Sequence, residues 1–469
     1  MSALGPVLLF LAVFLFLLSG YPVAFTLAGV SLLAAGIGSA VGVFDPAFLS
    51  AFPNRIFGIM TNETLLAVPL FVFMGVMLER ARLAEELLND AAALFRGVRG
   101  GMGLAVILVG ALLAASTGIV GTTVVTMGLL SMPAMLKRGY QPGVAGGAIC
   151  AAGTLGQLIP PSIALVLLGD VLGNAYQQAQ LSQGVFSPKT VSVGDLFAGA
   201  ILPGAVLVLM YMAYLLIVAW RQAPDETASE AAESQKSWWG HLWGLMSGPM
   251  LLMLAVLGSI LNGLATPTEA AAVGAVGATL LAVIRKAFTL KVLREVCEKS
   301  IQISAMVFMI LVGAALFSLV FRGFGGDTLV REGLSQLPGG VPGALAVVMI
   351  TVFILGFVLD FIEITYVVLP IVGPVLLAMG IDPVWLGVLL AINLQTSFLT
   401  PPFGFALFYL RGVAPPELRT ADLYRGVMPF IVIQLILLAL VIVWPQLATW
   451  LPGQLLGQEH YLARKMSTF

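Results

Sequence analysis

The stretch Gly153-Thr154-Leu155-Gly156-Gln157-Leu158-Ile159-Pro160-Pro161-Ser162 interrupts an apolar run whose two sides are each too short to cross a bilayer alone. A Pro-Pro pair removes two backbone donors and drives the preceding residue out of the helical region, so a helix breaks there. At membrane depth such a break survives only where it is buried in protein or lines a wet cavity, and carbonyls freed there can coordinate a cation. The second half repeats the design as Asn393-Leu394-Gln395-Thr396-Ser397-Phe398-Leu399-Thr400-Pro401-Pro402-Phe403-Gly404. Both read as helical re-entrant hairpins that enter and leave on one side, hairpin 1 at about 145–175 and hairpin 2 at about 385–412. A pair of kinked spanning helices is the alternative.

Working outward, adding 241 to first-half positions lands on matching residues: Pro133 on Pro374, Gly139 on Gly380, Pro142 on Pro383, Pro160 on Pro401 and Pro161 on Pro402. Asp195, Leu196 and Gly199 resemble Asp422, Leu423 and Gly426 at a smaller offset, which places an insertion between about 170 and 195. The chain therefore divides into repeats at 1–220 and 241–455, joined by the polar linker 221–240 and followed by a polar tail, 456–469. Basic residues fix the sense of the repeat. Arg80, Arg82, Arg96 and Arg99, then Lys137 and Arg138, then Arg285, Lys286, Lys291, Arg294 and Lys299 mark three cytoplasmic loops by the positive-inside rule. Lys137 and Arg138 map onto Ala378 and Met379, so the copies differ in loop charge, as inverted repeats would.

The whole composition agrees with a membrane solvent. Hydrophobic residues make up 59% and charged residues 10%, with a mean hydropathy of +1.04. Runs of about 20 apolar residues match a bilayer core of roughly 30 Å, and the runs here allow roughly ten to thirteen crossings. This is an all-α polytopic chain. A signal peptide is the other reading of the first 20 residues; with no basic segment ahead of it and apolar sequence resuming at Val23, a retained helix is favoured. Trp238, Trp239 and Trp243 read as an interfacial belt. The segments 79–100 and 285–299 read equally as amphipathic surface helices or polar connectors. The formal net charge of −1 points to no nucleic acid, and Cys150 and Cys297 have no disulfide or metal spacing.

Each hairpin needs a facing element. In the first half it is Ser116-Thr117-Gly118-Ile119-Val120-Gly121-Thr122-Thr123, unless these hydroxyls only bond their own backbone. In the second half it is Gly356-Phe357-Val358-Leu359-Asp360-Phe361-Ile362-Glu363. A carboxylate inside hydrophobic sequence is a functional residue by default, and Asp360 is preferred over Glu363, which could sit at a helix end in water. Freed carbonyls, hydroxyls and a carboxylate suit Na⁺ better than a soft metal. Asn62, Glu63 and Thr64, and Thr266, Thr268 and Glu269, are weaker interruptions that helix starts explain equally. Enzyme chemistry has little support: His241 and His460 lie in polar flanks, and no phosphate loop or nucleophile elbow is present. Transport driven by an ion gradient, without an organic cofactor, is the remaining reading.

These residues resemble the large membrane subunit, the DctM-like large permease, of tripartite ATP-independent periplasmic (TRAP) transporters. The motifs carrying the likeness are Gly20-Tyr21-Pro22-Val23-Ala24-Phe25, Val68-Pro69-Leu70-Phe71, Ile159-Pro160-Pro161-Ser162, Leu359-Asp360 and Leu399-Thr400-Pro401-Pro402-Phe403-Gly404. The resemblance implies a multi-pass protein of the bacterial inner membrane with an elevator mechanism, in which a scaffold holds a moving transport domain built on the two hairpins. It implies secondary uptake by Na⁺ symport, a small four-helix membrane subunit and a periplasmic substrate-binding protein. One Na⁺ site would lie between Ser116, Gly118 and hairpin 1 at Gly153, Thr154 and Pro160. The other would lie between Gly356, Asp360 and hairpin 2 at Asn393, Thr396 and Thr400. Gln157, Ser162, Asp360, Thr396 and Thr400 would meet a small organic anion, a carboxylate such as a 2-oxo acid. This chain departs from the family's Ser-x-Ser-Gly type element at Ser116-Thr117-Gly118. A stand-alone Na⁺- or H⁺-coupled carboxylate carrier without a binding protein is the nearest alternative, and a membrane enzyme or assembly factor the next.

Overall fold

The structure is a computed structural model that describes residues 4–81, 83–222, 240–241 and 246–455. Arg82, most of the 221–240 linker, Trp238, Trp239, Trp243, His460 and the 456–469 tail lie outside the described residues. All regular structure among the described residues is helical. In chain order the helices are α1 Leu4–Leu18, α2 Val23–Ala40, α3 Phe52–Met60, α4 Ala67–Arg80, α5 Leu83–Leu94, α6 Gly101–Thr117, α7 Val120–Lys137, α8 Pro142–Thr154, α9 Ile163–Ser182 and α10 Val193–Gln222. The second half continues as α11 Leu251–Leu261, α12 Pro267–Ile284, α13 Leu290–Gly323, α14 Gly326–Ser335, α15 Gly340–Leu355, α16 Phe361–Val367, α17 Leu369–Ala378, α18 Pro383–Leu399, α19 Phe405–Arg411 and α20 Thr420–Val443.

Element order reproduces the sequence repeat. Adding 241 to Val120–Lys137 gives 361–378, the span of α16 and α17 together; adding it to Pro142–Thr154 gives 383–395, within α18. The copies differ where their prolines differ. Both carry an internal proline, Pro133 in α7 and Pro374 in α17, but only the second has Pro370, whose missing N–H helps split the helix into two pieces bent by 59°. The Pro160-Pro161 and Pro401-Pro402 peptides are both cis.

Among the described residues, six helices are each long and apolar enough to span a membrane, or seven if the bent pair is one span. The ten to thirteen crossings expected from the sequence would also need the shorter apolar helices, α1, α6, α11, α15 and α18, to cross. Several apolar runs are divided by Gly118, Gly356 and the Pro-Pro turns into pieces such as α6 and α18. At a rise of 1.5 Å per residue, a 15-residue helix covers only about 22 Å.

Burial follows a lipid-facing pattern. In α1, Leu8, Leu11 and Leu15 are exposed while Leu9 and Val13 are buried, whereas Thr154, Gln157, Asn393, Gln395, Thr396 and Ser397 are buried. Exposed aliphatic rows demand lipid, and buried polar groups demand partners or a ligand.

The chain clusters into two compact units: residues 1–66, 167–192 and 301–387 in one, and 67–166, 193–300 and 388–469 in the other. Each draws on both repeats. In the second unit α8 packs on α20 at contacting backbones: a Cβ on Gly147 or Gly426 would fall on the carbonyl of Gly426 or Gly143, respectively. Only glycine fits such a crossing, and close approach of this kind is the usual means of packing helices in lipid. In the same unit α5 is amphipathic, burying Ala84, Leu87, Leu88 and Ala91. Residues 290–299 begin α13, and Arg80 pairs with Glu295, Lys299 with Glu79 (both 3.2 Å) and Arg285 with Glu86. His241, expected in a polar flank, is buried against Asp90, Nδ1 to Oδ1 2.8 Å.

Candidate functional site

The first expected site is assembled within the second unit. Gly118 ends α6 in the left-handed region at φ 63°, its N–H donating to the Ala114 carbonyl at 2.8 Å, and Ile119 is extended before α7 begins. Small residues bring α8 alongside α6. A Cβ on Gly110 would meet Ala152, and one on Gly156 would lie 2.6 Å from the Ala114 carbonyl oxygen. At the tip, a Cβ on Gly118 would lie 2.9 Å from Ile163 Cγ1 and 3.2 Å from Ile163 N, the residue that follows Pro160-Pro161-Ser162. Gly153 faces Val124 of α7. The two helix breaks that sequence spacing paired, at Gly118 and at Pro160, therefore meet.

The hydroxyls at this junction donate to their own helices. Ser116 and Thr117 both reach the Leu113 carbonyl, at 2.9 and 3.0 Å; Thr117 also meets Thr123 at 2.9 Å, and Thr154 reaches the Ala151 carbonyl at 2.8 Å. This is the backbone-bonding behaviour weighed for Ser116. A hydroxyl has one proton and two lone pairs, so each oxygen keeps acceptor capacity after donating. Ser162 is fully buried and staples the turn, its Oγ donating to the Gly156 carbonyl at 2.7 Å and accepting from Leu165 N at 3.4 Å. Gln157 is 2% exposed and its Oε1 has no hydrogen-bond partner among the described residues.

On the other hairpin, Thr396 donates to the Ile392 carbonyl and Thr400 to the Thr396 carbonyl, both at 2.7 Å, and Asn393 is buried. The tip is tight: a Cβ on Gly404 would lie 2.8 Å from the Phe398 carbonyl, and the Phe398 and Phe405 rings meet across the turn with centroids 5.0 Å apart and planes tilted by 41°. Tyr424 Oη of α20 donates to the Pro402 carbonyl at 3.2 Å. The tips differ in exposure. Pro160, Pro161 and Ser162 are buried, whereas Pro402 is exposed and Phe403 is 54% exposed.

Gly356 and Asp360, expected to face this second hairpin, belong to the other unit. There Asp360 caps α16: its Oδ1 accepts from Phe361 N at 2.6 Å, and Asp360 N donates to Glu363 Oε2 at 2.8 Å. This is a reciprocal capping box. The alternative that placed Glu363 in water is corrected, since Glu363 is 6% exposed and held in that box. Thr266 and Glu269 likewise form a capping box at the start of α12, and Asn62 Oδ1 accepts from Thr64 N and Leu65 N, so both weaker interruptions shape the chain locally.

Two residues escaped the sequence reading. Asp170 lies within apolar α9 and accepts from Asn62 Nδ2 at 2.8 Å; the rule that flagged Asp360 applied to it equally. Gln395, fully buried, donates through Nε2 to Thr154 Oγ1 at 3.4 Å. The 241 offset itself pairs those two positions. The donors gathered at the first site, hydroxyls, freed carbonyls and the orphaned Gln157 Oε1, are all oxygen, a set that suits a hard cation and offers nothing to a soft metal.

Residues 10–447 match the family model "Tripartite ATP-independent periplasmic transporter, DctM component". The chain is 30% identical to the C4-dicarboxylate TRAP transporter large permease protein DctM of Vibrio cholerae, over 96% of this chain and 98% of that one. It is 31% identical to the protein of the same description in Rhodobacter capsulatus, over 86% and 89% of the two chains, and 29% identical to the sialic acid large permease SiaM of Vibrio cholerae, over 94% and 97%. A crystal structure of the Alcanivorax borkumensis YdaH transporter resembles it in fold, with a TM-score of 0.56, 16% identity, and coverage of 85% of this chain and 89% of that one.

Proposed function

This chain belongs to the DctM component family of tripartite ATP-independent periplasmic transporters, a family of permeases and not of enzymes, and we propose that in the bacterial inner membrane it couples Na⁺ entry to uptake of a small carboxylate. The observation that supports this reading most is the meeting of the Gly118 break with the hairpin turn after Pro160, on segments that carry the hydroxyls of Ser116, Thr117 and Thr154. Na⁺ is the driving co-substrate. Ser116, Gly118, Gly153, Thr154 and Pro160 form its first site by hydroxyl and carbonyl oxygens, Asn393, Thr396 and Thr400 supply hairpin 2 oxygens for another, and within the other unit Gly356 and the Asp360 carboxylate are ion ligands. Filling the sites orders the turns, and the anion then engages groups at Gln157, Ser162 and Thr400.

Relatives named for C4-dicarboxylates, sialic acid and ectoine support a carboxylate-bearing cargo. The cargo we propose is a carboxylate such as a 2-oxo acid. A periplasmic binding protein delivers the cargo and a small four-helix subunit completes the permease, which works as an inverted-repeat elevator.

Ion binding to the folded form alone raises its stability by mass action. The purified permease, held with its small subunit in detergent, is expected to melt several degrees higher in 100 mM NaCl than in 100 mM KCl, roughly the shift expected when Na⁺ far exceeds its dissociation constant. Identical melting in the two salts would overturn the Na⁺ assignment.

A further inference from the structure

We infer that Gln395 is a positioning residue that couples the two hairpins, making sodium binding at one promote binding at the other. The inference rests on the two-site reading above. Thr154 and Gln395 occupy equivalent positions of the repeat, 241 residues apart, and their side chains touch. Where symmetry-equivalent residues contact each other, the internal pseudo-two-fold axis runs between them, so this bond joins hairpin 1 to hairpin 2 at their common centre.

The placement carries the inference further. Thr154 is itself a hairpin 1 site residue, and Gln395 lies directly beside Thr396 and two residues after Asn393 on hairpin 2. The link is polar and sealed, with Gln395 fully buried and Gln157, one turn beyond Thr154, nearly so. It is also underused. The Nε2 to Oγ1 distance is 3.4 Å, and the amide oxygens of both glutamines have no hydrogen-bond partner among the described residues. A seam built for stability alone would satisfy those oxygens or be apolar, because an unpaired buried carbonyl is destabilising and an isosteric apolar pair is not. An incompletely made bond between two ligand-bearing helices can tighten when either helix is ordered. Thr154 Oγ1 accepts from Gln395 while donating to the Ala151 carbonyl, so fixing that hydroxyl for sodium also fixes its partner amide.

The test is equilibrium binding of radiolabelled sodium to the purified permease with its small subunit, titrated at constant ionic strength with KCl as the balancing salt, with melting curves recorded in KCl alongside. Wild type is expected to give a Hill coefficient near 2. Gln395→Leu is expected to bring it to about 1 and raise the half-maximal sodium concentration about tenfold, the square root of a coupling of about a hundredfold, toward the upper end of measured couplings. Its melting temperature in KCl should be equal to or above wild type, which a merely structural role would not predict. Gln395→Met, unbranched and of similar volume, removes the same bond outside the ligand set and keeps the experiment open if Gln395→Leu does not fold. A Hill coefficient that stays near 2 in the variants, beside a normal wild-type response, overturns the coupling alone. A wild type indifferent to sodium overturns both this inference and the two-site reading.

Discussion

Asp360→Asn is expected to leave the amount and melting temperature of the folded protein unchanged while raising the sodium concentration for half-maximal uptake roughly tenfold or more. The structure makes this substitution informative because Asp360 has two duties. Its Oδ1 caps α16 and its charge sits within apolar sequence. Asparagine is as good an N-cap as aspartate, so the cap survives. The charge does not. A unit charge about 4 Å from a monovalent cation is worth about 4 kcal/mol at an effective dielectric of 20, and a neutral amide oxygen returns only part of that. Asp360→Ala removes both duties and should add a stability loss of about 1 kcal/mol. Uptake measured across a sodium titration, with melting curves alongside, separates the effects; a sodium response unchanged in Asp360→Asn would remove Asp360 from the ion's environment.

Gly118→Val should be more severe. Gly118 holds φ at 63°, a conformation costing a residue with a Cβ roughly 1–2 kcal/mol and a β-branched one more. The new Cβ would also press on Ile163 at 2.9 Å, at the first residue after the hairpin turn. Backbone cannot yield there without separating the two breaks. Sodium-dependent thermal protection is expected to disappear and uptake to fall about a hundredfold, on the order of the loss that a displacement of about 1 Å produces at a preorganised site. Gly118→Ala should fall between the two. Wild-type protection by sodium in Gly118→Val would show that the junction of the breaks is not where the ion binds.

Much of the fold was legible because membranes punish broken helices. Pro160-Pro161 and Pro401-Pro402 had to break their helices, as hairpin turns or as kinks, and the offset linking them carried through to whole elements, α7 onto α16 with α17 and α8 onto α18. The pairing of Gly118 with hairpin 1 was legible for the same reason. Other features were hidden. Apolar composition does not reveal where a run is divided, so the share of crossings made by single long helices was not legible. Compact units are set by packing between distant segments, and both draw on both repeats, which a linear reading of domains does not capture. Glu363 was misjudged because a capping box inside a hydrophobic segment looks, in sequence, like a charge at a wet helix end. Gln395 went unnoticed because one amide in an apolar helix is weighed alone, although the offset that paired the prolines also paired it with Thr154.

The most direct test of the central claim is uptake into vesicles reconstituted with the permease, its small membrane subunit and the cognate periplasmic binding protein loaded with a labelled carboxylate. An inward sodium gradient should drive accumulation above the outside concentration, an equal potassium gradient should not, and omission of the binding protein should abolish uptake. Accumulation that is indifferent to sodium, or that proceeds undiminished without the binding protein, would contradict the account.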